Sequence, residues 1–479
     1  MSAAVVEGMP RLVGGPPDSA ALYAAALENL VLRNTVSGPL AARSDTPARF
    51  IRAGGGYAEP WTRDAAINSW NAASVLIPDV AKDTLLMVCE GAAGERVIAQ
   101  DEQWWDQIIW VVAAWHHFLV TGDRPFLEEA RGIAERSLAI LHAAHFDDEF
   151  GLYAGGAVMQ DGISGYPSPP ADEDNPSSFV LDHPRARRAM TLSTNALYVG
   201  ALRALAAMSA ASGVDGAGFE RRAAELRNAI HARFRIAGTA RFGFLVHGAG
   251  EERGRLDEHQ EGCGLAFLAL FAMESGQAAR ATLAAARKLP FGIPNLWPDI
   301  PPYSAERPAR HGAILWPMVM GMFGAAAASS GDAALFGDAL AELEQLFRGS
   351  GLELFEVYNG TTGAVDGGWQ TGTHWDSQPD QTWSATAYLR LVHEGVFGLR
   401  HHSDGLAFRP VVPRGFAGAV LREVRYRDSS LTVSLEGDGA ELVEIVVDGQ
   451  AHDPQWRLPP DTGGRHEVRL RMRGAEAAG

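Results

Sequence analysis

The sequence is short of cysteine, of excess positive charge and of long hydrophobic runs, and each shortage excludes a class of protein. Only Cys89 and Cys263 occur among 479 residues, and neither belongs to a CxxC pair, so a disulfide scaffold or a zinc–thiolate site is not expected. The formal net charge of −17 argues against nucleic acids and anionic membranes as partners. No uninterrupted apolar run reaches the length of about 18 residues that a transmembrane helix needs.

Several sequence signals are also missing. The first residues, MSAAVVEGMPRLVGGPPDS, have neither a basic start nor a sustained apolar run, so we see no signal peptide and expect a cytoplasmic location. GxSxG, GxxxxGK[ST] and HExxH do not occur, which argues against a serine-hydrolase elbow, a phosphate-binding loop and a zincin site. The acidic run ADEDNPSS at 171–178 lacks the glycine and the terminal glutamate of a calcium loop. We therefore expect neither a metal ion nor a cofactor.

Between residues 19 and 398, apolar residues recur mostly at helical spacing. Ser19, Asp101 and Asp332 are of types that begin helices. Twelve segments pair in order into six hairpins: 20–34 with 61–77, 79–90 with 103–121, 124–145 with 191–212, 217–235 with 257–275, 277–288 with 311–330, and 332–349 with 381–398.

The connections between these helices are unusually long. They cover residues 36–60, 146–190, 236–256, 289–310 and 350–380. Loops of this length without secondary structure are uncommon unless they build a functional site. Six helical hairpins with such loops predict a mainly α protein, an (α/α)6 toroid whose loops meet at one end.

The pattern changes after residue 398. LAFRPVVP, AVLREVRYRDSSLTVSLEG, LVEIVVDG and HEVRLRMRG alternate between apolar and polar residues, with turn residues between them. They predict a small antiparallel β-domain, sandwich-like, over 399–474. Residues 1–18 are then a lead into the helices, and 475–479 are a loose tail.

Tryptophan is concentrated in and beside the long loops. Exposing so much apolar area is unfavourable without a ligand or partner, although core packing is the alternative for each tryptophan. Flat apolar faces beside carboxylates and amides suit a sugar ring. Eight of the 12 tryptophans belong to this set: Trp61, Trp104, Trp105, Trp297, Trp316, Trp369, Trp375 and Trp383.

Three loop segments combine aromatic and charged residues. GGGYAEPWTRD places Arg63 and Asp64 where a helix begins, although an ion pair that caps the helix would look the same. QDEQWWDQIIW places Asp106 beside two tryptophans at a similar junction. LYAGGAVMQDGISGY carries Asp161, which precedes a glycine and could equally be a turn residue.

Five segments in this order, PWTRD, QDEQWWDQIIW, AILWP, FEVYNGTTG and QTWSATAYL, resemble the six-hairpin glycosidases. The similarity spans residues 50–395. It is greatest to the group of mannosylglycerate hydrolases and processing α-glucosidase I, and more distant to trehalases and archaeal-type glycogen debranching enzymes.

The resemblance implies roles for individual residues. The family's general base is the glutamate of a Glu–x–Tyr segment, which corresponds here to Glu356. Its general acid is an aspartate in the loop before the helix TLSTNALYVGALRAL. Asp161 follows an apolar lead-in and is the preferred match, with Asp172 and Asp174 as alternatives. The loop segments and the resemblance together lead us to expect a set of substrate-binding residues, of which Glu261 could instead cap its helix. The set is Tyr57, Trp61, Arg63, Asp64, Trp104, Trp105, Asp106, Glu261, Trp297, Trp316, Tyr358, Trp369, His374, Gln381 and Trp383.

The function expected on these grounds is that of an inverting, exo-acting hydrolase. It would cleave a terminal α-linked sugar from a small carbohydrate, an α-glucoside or a related α-glycoside such as a glycosylglycerate. A phosphorylase built on the same toroid is the first alternative, and a polysaccharide lyase or a non-catalytic sugar-binding toroid is less favoured.

Overall fold

The computed structural model describes residues 6, 8–40, 44–92, 94–99, 103–172 and 174–473. The predicted helix start at Asp101 and the predicted tail at 475–479 lie outside the described residues. No helix within the described ranges is long and apolar enough to cross a membrane.

Each of the twelve predicted helical segments contains a helix. The helices are α1 (Ser19–Glu28), α2 (Thr62–Asn68), α3 (Pro78–Met87), α4 (Ile109–Thr121), α5 (Arg124–His145), α6 (Leu192–Ala211), α7 (Ala217–Phe234), α8 (Gly262–Leu270), α9 (Gly276–Ala284), α10 (Pro317–Ser329), α11 (Ala333–Gly349) and α12 (Thr382–Arg390). Wider π-helical turns extend α1 through Asn29–Arg33, α2 through Ser69–Ala73 to Ser74–Leu76, and α12 through Leu391–Val396.

Three helices begin five or six residues later than the periodicity predicts, because the residues before them are held in other structures. Residues 103–108 form turns ahead of α4. Gln260–Glu261 pairs with Leu296–Trp297 ahead of α8. Turns and bridges precede α10, whose first residue is Pro317, a residue favoured at the first helical position.

Two kinds of helix alternate along the chain. α6 is buried along almost its whole length, and α10 (PMVMGMFGAAAAS) is made of small and apolar residues on every face. By contrast α7 (AGFERRAAELRNAIHARF) buries only one stripe, which consists of Ala223, Leu226, Ile230 and Phe234. Helices of the first kind must be packed on all sides, and those of the second kind face water on one side.

The contacts follow this alternation. α2 packs against α4, α4 against α6, α6 against α8, α8 against α10, α10 against α12, and α12 against α2. The odd-numbered helices pack outside them, with α3 on α2, α5 on α4, α7 on α6, α9 on α8, α11 on α10 and α1 on α12. Every long connection therefore leads into the N-terminal end of a buried, even-numbered helix.

Short strands stiffen these connections. Thr35–Leu40 pairs with Ser44–Ile51, Cys89–Glu90 with Val97–Ile98, Phe146–Asp147 with Leu152–Tyr153, and Trp369–Gln370 with Thr373–His374. Met190–Thr191, Leu245–Val246 and Leu256–Asp257 form a three-stranded sheet.

The segment after residue 398 is built from strands, as the alternation predicts. One sheet joins Leu399–His402, Gly405–Phe408 and Arg457–Leu458, and a six-stranded sheet contains Val420–Tyr426, Ser429–Glu436, Gly464–Met472, Leu442–Val447 and Gln450–His452. Its sixth strand is Arg11–Val13, from the predicted lead, which pairs with Val420–Tyr426.

The prediction that these strands are all antiparallel is wrong at one pair. Ser429–Glu436 and Gly464–Met472 run parallel over eight residues. The chain between them first forms Leu442–Val447 and Gln450–His452, so it returns in the original direction. One continuous hydrophobic core includes both the helices and these strands, from Leu12 to Met472.

Candidate functional site

A cavity of about 310 Å³ lies at the N-terminal ends of α2, α10 and α12. Trp61, Trp316 and Gln381 stand immediately before these three helices. The cavity is lined by four tryptophans, three carboxylates and several polar groups: Ala53, Tyr57, Trp61, Arg63, Asp64, Gln103, Met159, Asp161, Phe179, Arg310, His311, Trp316, Glu356, Gln370, Trp375, Gln381 and Trp383.

Glu356 is fixed by both its backbone and its side chain. Its amide donates to the carbonyl of Gln378 (2.8 Å), and Tyr358, two residues on, exchanges backbone hydrogen bonds with Leu315. The buried carboxylate accepts hydrogen bonds from Tyr57 Oη at Oε1 (2.8 Å) and from Arg310 Nη2 at Oε2 (2.7 Å). Burial and the nearby Glu356 carboxylate raise the pKa of Tyr57, so its phenol remains a donor.

Arg310 is itself held in place from several sides. Its Nη1 donates to the carbonyl of Gly367 (2.9 Å), and its guanidinium lies 5.2 Å from the ring centre of Trp316 and 5.5 Å from that of Trp375. The Trp316 indole in turn donates to the Arg310 carbonyl (2.9 Å). The partner of Glu356 is therefore a buried cation with little freedom to move.

Asp161 lies in the loop between α5 and α6, where its carbonyl accepts the amide of Val180 (2.8 Å). Its Oδ1 is 3.3 Å from His311 Nε2, and its Oδ2 accepts a long hydrogen bond of 3.4 Å from Gln103 Nε2. Burial lowers the pKa of His311 to about 4, although Asp161 acts to raise it, so the imidazole is neutral at neutral pH. The Asp161 side chain is 30% exposed, against 3% for Glu356.

The predicted ion pair in the first turn of α2 is part of a larger buried network. Arg63 Nη1 donates to Asp106 Oδ2 (2.9 Å) and to Gln103 Oε1 (2.8 Å), and its Nε is 3.8 Å from Asp64 Oδ2. Burial raises the pKa of Asp64 to about 7, an effect that Arg63 opposes and Glu356 reinforces. Asp64 faces the cavity, whereas Asp106 lies behind Arg63 and also accepts the Met159 amide (3.1 Å).

Trp104, Trp105, Tyr358 and Trp297 do not line this cavity, and the first three are packed in the core. Trp104 donates to the Ala154 carbonyl (3.0 Å) and stacks on His145, and Trp105 is completely buried. The Tyr358 hydroxyl accepts the Phe355 amide (3.0 Å) in the core. Trp297, which pairs with Gln260, is also outside the cavity.

Glu261, Trp369 and His374 lie outside the cavity as well. Glu261 is fully buried, accepts the Ser193 amide at Oε2 (2.9 Å) and has no partner for Oε1 in the described structure. Burial raises its pKa to about 8. Trp369 lies under the Arg307 guanidinium, and His374 points away to Asp366 (2.8 Å).

The two alternative acids are also absent from the cavity lining. The Asp172 amide donates to His183 Nδ1 (3.2 Å), and its carboxylate lies 3.9 Å from Arg185 Nε. Asp174 is exposed. Of the three aspartates considered, only Asp161 shares a cavity with Glu356.

Several lining residues are not among the expected ligands: Gln103, Arg310, His311, Gln370 and Trp375. The sequence carries a signal for Arg310 and His311. Their segment, ARHG, lies in a long loop shortly before α10, just as the segment WTRD lies where α2 begins. Gln381 is buried and neither its amide nitrogen nor its amide oxygen has a hydrogen-bond partner in the described chain. It can therefore donate to and accept from a hydroxyl-bearing ligand.

In chemical terms, the site combines three carboxylates in different settings with flat apolar walls and the unpaired amide of Gln381. Such a combination can bind a polar ring and transfer protons on it. Within the described residues, no group of three or more His, Cys, Asp or Glu side chains is arranged to hold a metal ion.

Comparison with solved structures shows likenesses of fold, among them the following three. A sialidase aligns with 90% of this chain but only 40% of its own, with a TM-score of 0.68 and 15% identity. The GH63 mannosylglycerate hydrolase from Thermus thermophilus, in complex with Tris, aligns over 78% of this chain and 100% of its own (TM-score 0.55, 17% identity). A GH78 family rhamnosidase of a Bacillus species aligns over 98% of this chain and 44% of its own (TM-score 0.54, 15% identity).

The present chain thus spans less than half the length of the sialidase and of the rhamnosidase. No curated protein matches the sequence. The model of the mannosylglycerate hydrolase MGH1-like glycoside hydrolase domain matches residues 57–384, most of the chain and all but Ala53 of the cavity lining. The chain belongs to this family, and it is a glycoside hydrolase.

Proposed function

We propose that the protein is an inverting, exo-acting glycosidase that removes one terminal α-linked sugar. The substrate is an α-glucoside or a related α-glycoside such as a glycosylglycerate. The contacts among the even-numbered helices support an (α/α)6 toroid with the site at one mouth. The observation that carries the proposal is that Glu356 and Asp161 line one cavity with different partners and different exposure.

In this mechanism Asp161 is the general acid and Glu356 the general base. Glu356 takes a proton from water as the water oxygen bonds to the anomeric carbon. The glycosidic bond breaks at the same time, and its electron pair goes to the leaving oxygen, which takes the proton of Asp161. The products are a free sugar of opposite anomeric configuration and an alcohol. An inverting pair leaves room for water, with carboxyl groups typically about 6.5–9.5 Å apart.

The surroundings of the two carboxylates support this division. Tyr57 donates to one oxygen of Glu356 and Arg310 to the other, so the carboxylate is held in one orientation towards the water that it would activate. The Asp161 carboxylate contacts the neutral His311 imidazole and, at 3.4 Å, the Gln103 amide, and its side chain is 30% exposed, so a leaving oxygen can approach it.

The sugar would lie between the tryptophan faces. Trp61, Trp316, Trp375 and Trp383 supply apolar area, and Asp64 and Gln381 supply hydrogen-bonding groups for hydroxyls. A volume of about 310 Å³ lies at the lower end of the range of about 300–1,000 Å³ for ligand pockets. That size favours a single terminal residue over an extended chain.

The test is a screen with an anomeric readout. The purified protein is assayed against nitrophenyl α-glycosides, glucosylglycerate, mannosylglycerate and trehalose, and early product is followed by proton NMR. Release of the inverted anomer from an α-glycoside supports the proposal. A product of retained configuration contradicts single displacement. Cleavage that depends on inorganic phosphate and yields a sugar 1-phosphate would show a phosphorylase instead.

A further inference from the structure

A second cavity, of about 520 Å³, lies at the other ends of the same helices. It is lined from the C-terminal parts of the buried helices, by Trp70 beyond α2, His116 in α4, Arg203 in α6, Phe271 after α8 and Arg390 in α12. Arg400 and His401, from the strand Leu399–His402, complete one wall. No residue lines both this cavity and the candidate sugar site.

The lining of the second cavity carries an excess of positive charge. Three arginines, Arg203, Arg390 and Arg400, stand against one carboxylate, Glu394. Glu394 Oε2 accepts Arg390 Nε (3.0 Å) and Arg400 Nη1 (3.2 Å). Burial acts to raise the pKa of Glu394, but the two arginines overcome it and lower the pKa to about 2. Glu394 is therefore ionised and shared by two cations, in a chain whose net charge is −17.

Arg203 is only weakly compensated. Its Nη1 donates to the Phe271 carbonyl, and its Nε lies 3.7 Å from Glu220, whose side chain is 58% exposed. An exposed partner at that distance stabilises a cation little, because water screens the pair. The ends of the helices around the cavity add partial negative charge, which offsets part of the excess.

Hydrogen-bond donors around the cavity are not all used. In the described structure Arg400 donates only through Nη1, and Nδ1 of His116 and of His401 are buried without a partner. Burial lowers the pKa of His116 to about 4 and that of His401 to about 3, so both rings are neutral and each carries one N–H, on either Nδ1 or Nε2. His116 Nε2 lies 3.8 Å from Glu394 Oε1, whereas the two Nδ1 atoms can donate to or accept from a ligand. A buried polar atom without a protein partner is able to bind a water molecule or a ligand that enters the cavity.

The remaining wall is aromatic. Trp70 stacks on Phe271 with ring centres 5.9 Å apart, and Trp115 lines the same space. The Arg390 guanidinium covers the Trp70 ring at 4.0 Å. Flat apolar faces next to free N–H donors complement a molecule that has a flat apolar body and an anionic oxygen group.

We propose that this second cavity binds a small aromatic or similarly flat organic anion. Its carboxylate or phosphate is held by Arg203 and Arg400, and its apolar body lies against Trp115 and Phe271. The site is independent of the proposed sugar site and of the reaction there.

Calorimetric titration and thermal melts of the whole protein test this with four probes. Benzoate and phenyl phosphate distinguish the two anionic groups, benzamide is the neutral counterpart of benzoate, and inorganic phosphate lacks the apolar body. We expect benzoate or phenyl phosphate to bind and raise the melting temperature, with benzamide and inorganic phosphate at least about tenfold weaker. Absence of binding by both aromatic anions at millimolar concentration would overturn the proposal, and so would equal binding of benzamide.

Variants locate the binding. Arg203→Gln and Arg400→Gln should each weaken the better anion by about tenfold or more, a loss of about 1.4 kcal/mol. Arg469→Gln removes an exposed arginine paired with Glu436 and should bind the anion normally, as should Trp61→Ala, which changes only the sugar site. Arg203 is partly exposed, and the folding of Arg203→Gln can be checked by circular dichroism. Unchanged binding of the anion by this variant contradicts the proposal, even if Arg400→Gln does not fold. Loss of binding in Trp61→Ala contradicts it too.

Discussion

The segment that carries Glu356 and the loop that carries Asp161 present the same functional group to one cavity, yet they hold it differently. Glu356 is buried and receives strong donors on both oxygens, whereas Asp161 is partly exposed beside a neutral imidazole and a long amide contact. The difference indicates how a chain can assign opposite proton-transfer roles to two carboxylates. In the proposed mechanism the environment of each group, and not its identity, would set its role.

The sharpest test of this comparison removes the better-held carboxylate. Glu356→Gln keeps the shape of the side chain but cannot accept a proton from water. We expect kcat to fall by about 10²–10⁴-fold, the range typical of general acid–base groups. The loss should be the same on an ordinary glycoside and on a glycosyl fluoride, because both need the activated water. Glu353→Gln, an exposed position three residues earlier, is the matched control and should retain normal turnover.

The second test removes the partly exposed carboxylate. Asp161→Asn should also lower kcat by about 10²–10⁴-fold on an unactivated glycoside, because a poor leaving group needs a proton. Fluoride leaves without one, so the loss on the matching glycosyl fluoride should be much smaller. Asp172→Asn and Asp174→Asn are controls that should retain activity. Full activity of Asp161→Asn on an unactivated glycoside would show Asp161 to be a turn residue and would return the acid role to Asp172 or Asp174.

A third test separates binding from proton transfer. Asp64→Ala should raise KM and lower kcat/KM by about 10–100-fold, a loss of about 1.4–2.7 kcal/mol, because the sugar hydroxyls that Asp64 would bind are left unpaired in the cavity. The buried Arg63 still has Asp106, so the melting temperature should change little. Early melting combined with normal turnover per folded molecule would mean that Asp64 supports the helix and does not bind the sugar.

The smallest effect on activity is expected at Glu261, a carboxyl outside the cavity. Its pKa is about 8 in the folded protein against 4.5 for an unperturbed glutamate. As pH rises, the unfolded chain therefore releases this proton first. The contribution of Glu261 to the free energy of unfolding is fully present below about pH 4.5 and is lost as pH rises to about 8. Glu261→Gln mimics the protonated form and does not titrate. The melting temperature of the variant minus that of the native protein should therefore be about 1–4 °C larger at pH 8 than at pH 5.

The control for this melting experiment is Glu258→Gln, an exposed neighbour that should show no such trend. If Glu261→Gln instead melts like the native protein at both pH values and loses its activity, the prediction from sequence that Glu261 binds substrate would be favoured over a purely structural role.

The helices could be predicted from the sequence because their signals are local. The Asp332 side chain caps α11 by accepting the Leu335 amide (3.0 Å), as its residue type predicts. The late start of α4 could not be foreseen, because the tryptophans at 104 and 105 fit a helical pattern as well as they fit the buried turns that they occupy.

The site was harder to predict where its parts are distant in sequence. Trp369 and Trp375 both lie in the connection between α11 and α12, but only Trp375 lines the cavity. Arg310 precedes Glu356 by 46 residues, and His311 follows Asp161 by 150, so no spacing rule connects them. They meet only because the helices bring the loops that precede α6, α10 and α12 to the same end of the molecule.

The strand Arg11–Val13 has a consequence for biosynthesis. It pairs with Val420–Tyr426, about 400 residues later, and ribosomes add about 5–20 residues per second. Arg11–Val13 must therefore wait roughly 20–80 s after its own synthesis for its neighbour in the sheet. During that interval its unpaired edge is available to other chains or to a chaperone, and this part of the sheet can close only when Val420–Tyr426 has been made.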